Sequence, residues 1–91
     1  MKNTTPLLAE FLGTLLFVLS ILASGGNPLF IGATLALVIF LIAKISGGHV
    51  NPAVSFAMFM KGKLSAMEFV SYAAVQLLGA LSSVYVFKTF A

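Results

Sequence analysis

Residues 46–54 read SGGHVNPAV, and this stretch decides how the rest of the chain can be arranged. Asn51 is a favourable N-cap residue, and Pro52 is a residue type that fits the first position of a helix. The apolar residues 53–60 follow, and Gly62 comes just after them, where a helix end favours glycine. The pattern predicts a helix of about ten residues and about 15 Å. Such a helix crosses only half of a bilayer core of about 30 Å.

Three longer apolar segments surround the predicted short helix, at residues 6–23, 29–45 and 66–87. The chain is 60% hydrophobic and only 8% charged, which is outside the range of ordinary soluble domains. We therefore predict an all-α membrane protein with three transmembrane helices and one re-entrant half-helix within residues 46–61. Irregular backbone at membrane depth is tolerated only where it is buried in protein or lines a water-filled cavity. The Gly-rich stretch thus indicates a channel.

One face of the third segment combines polar and small residues. Tyr72, Gln76, Gly79 and Ser83 recur at helical spacing, so they should share one side of that span. The opposite side is apolar and is expected to face lipid.

The composition argues against several functional classes. The chain has no Cys, and it lacks a nucleophile with a base, a metal-ligand cluster and a phosphate-binding loop before a long helix, so we expect no enzyme, no metal and no cofactor. Five lysines against Glu10 and Glu68 are too few and too scattered for a nucleic-acid surface.

The lysines are better interpreted as topology signals. Only Lys88 falls on the C-terminal side of the predicted spans, and four fall on the N-terminal side, namely Lys2, Lys44, Lys61 and Lys63. This bias favours a cytoplasmic N-terminus in a multi-pass integral protein, with the cell membrane as the expected location.

Three segments resemble one known family. Residues 9–14 are similar to its AEFxGT pattern, residues 46–54 to its SGxHxNPAV loop, and residues 76–80 to its QxxGA pattern. The chain resembles the first half of the aquaporins, or major intrinsic proteins, over nearly its whole length. The family has six spans in two inverted repeats, each with one Asn-Pro-Ala half-helix. The resemblance therefore implies that residues 1–91 form a single half-repeat, which is one half of the six-span fold.

The resemblance also implies a pore. Its Asn-Pro-Ala motif would be Asn51, Pro52 and Ala53, with the Asn51 amide donating a hydrogen bond to passing water. Backbone carbonyls of the preceding loop would accept hydrogen bonds from desolvated water, and they belong to Gly47, Gly48, His49 and Val50.

The family's selectivity constriction can be carried over position by position. It would comprise Ile31, Ile39, Gly48 and Val54. In the family one constriction position is usually an arginine, whereas this chain has no Arg and has Val54 at the matching position. We therefore expect an apolar ring and a looser selectivity that admits glycerol as well as water.

Two polar residues within the predicted spans are expected to support the pore loop. In the resembling family, residues matching Glu10 and Gln76 hydrogen-bond to loop backbone, and we favour this role over proton transfer by Glu10. His49 has two interpretations, a loop anchor, which we favour, and a pH gate.

A single half-repeat needs a second half, and several pairings are open. We favour an inverted homodimer of this chain, and the family habit would give four pores from eight chains. The lysine bias instead favours a split channel with a different partner chain. A nonfunctional fragment is a further possibility, and so is a small dual-topology, proton-coupled exporter that uses Glu10. Lipid and small neutral solutes are the other expected partners.

Overall fold

The computed structural model describes residues 3–90, and every regular element in that range is an α-helix. The four helices are α1 (Thr5–Ala23), α2 (Pro28–Ser46), α3 (Pro52–Met60) and α4 (Ala66–Phe90). Helices α1, α2 and α4 are long and apolar enough to cross a membrane, whereas α3 has only nine residues. The predicted all-helical class is confirmed, although α4 runs to Phe90 rather than ending at residue 87. Lys2 lies outside the described residues.

Side-chain caps begin three of the helices. Asn27 Oδ1 accepts hydrogen bonds from the backbone N–H groups of Leu29 and Phe30 at the start of α2. Asn51 Oδ1 accepts a hydrogen bond from Ala53 N in the same way at the start of α3. Helix α4 is preceded by a capping box, in which Glu68 Oε1 accepts from Ser65 N and Ser65 Oγ accepts from Glu68 N. These local hydrogen bonds explain why the helices start where the sequence predicts.

Helix α1 lies at the centre of the molecule, packed against α4 on one side and α2 on the other, while α3 rests on α4. The approach of α1 and α4 depends on Gly79, because a Cβ atom there would lie 2.5 Å from the carbonyl oxygen of Phe11. Aromatic rings fix α3, since Phe69 of α4 lies 5.8 Å from the ring of Phe56 and 5.5 Å from that of Phe59.

The interior is polar and the outside is apolar. Glu10, Ser55, Gln76 and Ser83 are fully buried, whereas large apolar side chains such as that of Phe40 (81% exposed) point outward. The buried residues of α4 are the predicted four, which confirms the expected polar face: Tyr72, Gln76, Gly79 and Ser83. This distribution suits a bilayer, where apolar surface needs no burial and polar groups must find partners inside the protein.

Candidate functional site

The loop between α2 and α3 follows an unusual backbone path. Gly47 (φ +94°), Gly48 (φ +65°) and Val50 (φ +46°) all have left-handed backbone conformations. Glycine adopts this region freely, but for the β-branched Val50 it is an outlier that costs of order 1–3 kcal/mol. The loop therefore depends on contacts from outside to hold its shape.

The carboxylate of Glu10 supplies those contacts from α1. Its Oε1 accepts hydrogen bonds from Val50 N (2.7 Å) and Gln76 Nε2 (2.9 Å), and its Oε2 accepts from Ser46 Oγ (2.6 Å) and His49 N (3.0 Å). A carboxylate offers about four lone-pair sites, so this fully buried group has none left over. Glu10 thereby joins three residues of the loop region to two helices.

A second set of hydrogen bonds surrounds the first. Ser55 Oγ accepts from Gln76 Nε2 (2.9 Å), which leaves its own proton free to be donated to His49 Nδ1, 2.8 Å away. In this arrangement His49 Nδ1 is the hydrogen-bond acceptor. The Tyr72 ring lies 5.1 Å from the His49 ring, and the Tyr72 hydroxyl donates to the carbonyl oxygen of Ser46 (2.7 Å). These contacts fasten His49 to α3 and α4.

Gln76 differs from the expectation in one respect. It was expected to bond loop backbone, but its amide nitrogen instead donates to the side chains of Glu10 and Ser55. It therefore holds the loop indirectly. Its Oε1 atom is buried and has no hydrogen-bond partner within residues 3–90.

The N-terminus of α3 is built by Asn51. Its side-chain oxygen accepts a hydrogen bond from Ala53 N (2.8 Å), and Pro52 occupies the first helical position, where no N–H is needed. Asn51 and Ala53 are exposed, and Asn51 faces a cavity. Within residues 3–90, no group accepts a hydrogen bond from the Asn51 amide NH₂. The start of α3 thus presents free donors to the cavity.

That cavity, of about 180 Å³, is bounded by α1, α2, the loop and α3. Its lining residues are Phe17, Leu35, Ile39, Gly48, His49, Val50, Asn51 and Val54. Among the residues of the expected constriction, Ile39, Gly48 and Val54 come together here, but Ile31 is not among the lining residues. Gly47 is also absent from the wall, although the other three residues of the expected carbonyl ladder belong to it.

Sequence reasoning missed five residues of this region. Ser46, Ser55 and Tyr72 complete the hydrogen-bond network, and Phe17 and Leu35 complete the cavity wall. A helical-spacing signal existed for three of them, since Tyr72 lies one turn before Gln76 on α4. Phe17 lies two turns beyond Glu10 on α1, and Leu35 lies one turn before Ile39 on α2, so each shares a face with a residue that was chosen.

Comparison with known proteins agrees with this geometry, since the major intrinsic protein family matches residues 1–91. The chain belongs to that family. Probable aquaporin PIP2-8 of Arabidopsis thaliana is 35% identical over 100 residues, covering 92% of this chain and 36% of the relative. The lens fiber major intrinsic protein of Gallus gallus is 36% identical over 87 residues, covering 84% and 33% respectively.

A bacterial relative also matches. The glycerol uptake facilitator protein-like 6 of Lactiplantibacillus plantarum is 35% identical over 91 residues, covering 91% of this chain and 42% of the relative. The chain therefore spans roughly two-fifths or less of the length of these major intrinsic proteins. With its three apolar spans, it is an integral membrane protein.

Proposed function

We propose that this chain forms half of a passive transmembrane channel for water and small neutral solutes such as glycerol. The observation that supports this most directly is the nine-residue α3, whose first residues face a cavity instead of being covered by protein. The network centred on Glu10 serves to hold that helix start and the strained loop before it in place.

The electrostatic field at the start of α3 favours neutral solutes over cations. A helix N-terminus presents about half a positive elementary charge, which repels cations in a narrow, poorly solvated passage. The free NH₂ group of Asn51 can donate to a water oxygen there, while the loop carbonyls offer acceptors. The oxygen of a water molecule held in this way accepts from Asn51, so its two O–H groups point away from Asn51. This orientation interrupts the continuous chain of hydrogen bonds that proton transfer along the passage would need.

The second half of the pore is proposed to come from a second, inverted copy of this chain. One side of α3 is exposed, with apolar or small side chains at Ala53, Val54, Phe56, Ala57 and Met60. An inverted copy would cover this side and bring a second α3 end to end with the first. Four such pores from eight chains would follow the family habit.

The proposed solutes follow from the lining. Leu35, Ile39 and Val54 are apolar, and the chain contributes no arginine to the passage. An apolar wall with donors and acceptors along one side suits small neutral molecules that carry hydroxyl groups. One relative is named as a glycerol uptake facilitator-like protein, in keeping with this proposal.

A split channel with a different partner chain is the second candidate. The observation that favours it is the lysine bias, because Lys44, Lys61 and Lys63 lie at one end of the helices and Lys88 at the other. The proton-coupled exporter is disfavoured, since every lone-pair site of the Glu10 carboxylate is already engaged.

The test is stopped-flow light scattering of vesicles that contain only this purified chain. We expect the osmotic water permeability to exceed that of protein-free vesicles in the absence of any proton gradient. Asn51→Asp keeps a good helix cap but replaces the NH₂ donor by a negative charge. This variant should fold, conduct less water and admit cations.

Asn27→Asp is the matched control, because Asn27 also caps a helix that begins with proline but lies in the turn between α1 and α2. It should conduct water like the unaltered chain. Vesicles that swell no faster than protein-free ones, or that swell only when a proton gradient is applied, would refute the homomeric channel.

A further inference from the structure

Helix α3 carries a single polar side chain. Its sequence is PAVSFAMFM, in which every residue except Ser55 is apolar, and Ser55 is also the one buried residue of the helix. The side chain of Ser55 is fully buried, whereas the neighbouring Val54 and Phe56 are 37% and 51% exposed. Apolar packing therefore does not explain why this side of α3 faces the interior.

The hydroxyl group of Ser55 connects α3 to two other elements. Its oxygen accepts a hydrogen bond from Gln76 Nε2 of α4 (2.9 Å), and its proton can be donated to His49 Nδ1 of the loop (2.8 Å). Hydrogen bonds are directional, and a buried donor left without its acceptor is costly. The two bonds therefore hold one side of α3 towards Gln76 and His49.

The other contacts of α3 define its rotation less strictly. Within residues 3–90, α4 is the one helix that packs against α3, and the aromatic contacts join Phe69 to Phe56 and Phe59. Apolar attraction is non-directional, and a helix of nine residues is too short to be stable without tertiary contacts. The rotation of α3 about its own axis should therefore depend strongly on Ser55.

This rotation decides which side chains of α3 face the cavity. Successive residues of an α-helix are about 100° apart around the axis. With Ser55 directed towards α4, Asn51 and Val54 line the cavity. The cap formed by Asn51 on Ala53 N turns with the helix, so a rotation of α3 also changes where the Asn51 NH₂ group points.

We propose that Ser55 is a positioning residue, which fixes the rotation of α3 and thereby directs the Asn51 NH₂ group into the passage. This inference rests on the proposed function. Without the Ser55 hydroxyl, α3 begins at the same depth, but Asn51 no longer holds a water molecule in one orientation. The chain of hydrogen bonds along the passage is then interrupted less of the time, and protons pass more readily relative to water.

Parallel measurements of water and proton permeability test this role in vesicles that contain the purified chain. Water flow is followed by stopped-flow light scattering and proton flow by an entrapped pH-sensitive dye. Ser55→Ala should raise the ratio of proton to water permeability about tenfold, because the loss of two hydrogen bonds lowers the population of the fixed rotation by about that factor. A mere loss of folded channels would lower both permeabilities and leave the ratio unchanged.

Ser83→Ala is the matched control, since Ser83 is equally buried but donates only to the carbonyl oxygen of Ala80 in its own helix. It should leave the ratio unchanged. Ser55→Cys nearly keeps the side-chain volume and forms weaker hydrogen bonds, so it should raise the ratio by a smaller factor. This variant decides the question if Ser55→Ala does not fold. An unchanged ratio in the folded Ser55 variants, or an equal rise in the Ser83 variant, overturns the proposal.

A spin label tests the hold on α3 independently of flux, because the chain has no Cys of its own. Lys61 is exposed at the C-terminal end of α3, and Lys61→Cys can carry a nitroxide label there. Adding Ser55→Ala should make the label more mobile in the electron paramagnetic resonance spectrum, whereas adding Ser83→Ala should not. If the unaltered chain conducts no water, the channel proposal fails, and these spectra still decide whether Ser55 holds α3. Equal label mobility with Ser55 and with Ser55→Ala overturns the inference.

Discussion

Replacing Glu10 by glutamine should be one of the most damaging single changes in this chain. The substitution puts an NH₂ group where one carboxylate oxygen accepted two hydrogen bonds. The side chains of Ser46 and Gln76 can turn to accept from the new group, but a backbone N–H cannot. Whichever way the amide is turned, either His49 N or Val50 N is left buried and facing a donor.

The size of the effect can be worked out from these four bonds. An orphaned buried N–H costs about 1–3 kcal/mol. Each of the three remaining bonds loses its charge assistance, which is about 1 kcal/mol per bond. The sum is about 4–6 kcal/mol, a large part of the roughly 5–15 kcal/mol that stabilises a typical protein. The loop and the start of α3 should then lose their fixed arrangement.

The measurement is unfolding in detergent micelles, followed by far-UV circular dichroism as denaturing detergent is added. Glu68→Gln is the matched control, because glutamine also serves in a capping box and should change the free energy of unfolding by less than about 0.5 kcal/mol. A Glu10→Gln variant that unfolds within about 1 kcal/mol of the unaltered chain would refute the role given to the carboxylate.

Two further substitutions test the packing and the outer hydrogen bonds. Gly79→Ala should destabilise the fold by about 1–3 kcal/mol through overpacking against α1. Gly32→Ala is its control and should be neutral or stabilising, because no atom lies within 4 Å of a Cβ atom added there. Equal melting temperatures of the two variants would contradict this prediction. Tyr72→Phe removes the hydroxyl that donates to the Ser46 carbonyl and should cost about 1–2 kcal/mol. Tyr85→Phe, in which the ring is 63% exposed, should cost nothing measurable in the same thermal unfolding experiment.

Much of the fold could be predicted because its signals are local. The helix starts depend on Asn27, Asn51 and the Ser65–Glu68 capping box, each of which acts within a few residues. The spacing of residues along α4 was equally informative. It places Gln76 on one helix face with Tyr72, Gly79 and Ser83, and a polar face has to be buried inside the protein where the surroundings are apolar.

The site was harder to predict because it depends on contacts between distant segments. The left-handed backbone at Gly47, Gly48 and Val50 shapes the loop that brings Ser46 and Ser55 to the same cluster, and spacing alone does not reveal it. Which side chain reaches the cavity depends in turn on how closely α1 and α2 approach each other. Phe17 therefore lines the wall and Ile31 does not, although Ile31 was the residue expected from the family.

The most direct test of the inverted pair is disulfide trapping in membranes that contain only this chain. Ala53 is exposed at the start of α3, and Ala43 is exposed near the end of α2. If two copies meet in opposite orientations, Ala53→Cys should form a cross-linked dimer on oxidation and Ala43→Cys should not, because the two Ala43 positions would lie at opposite faces of the bilayer. Cross-linking of Ala43→Cys without cross-linking of Ala53→Cys would contradict the account.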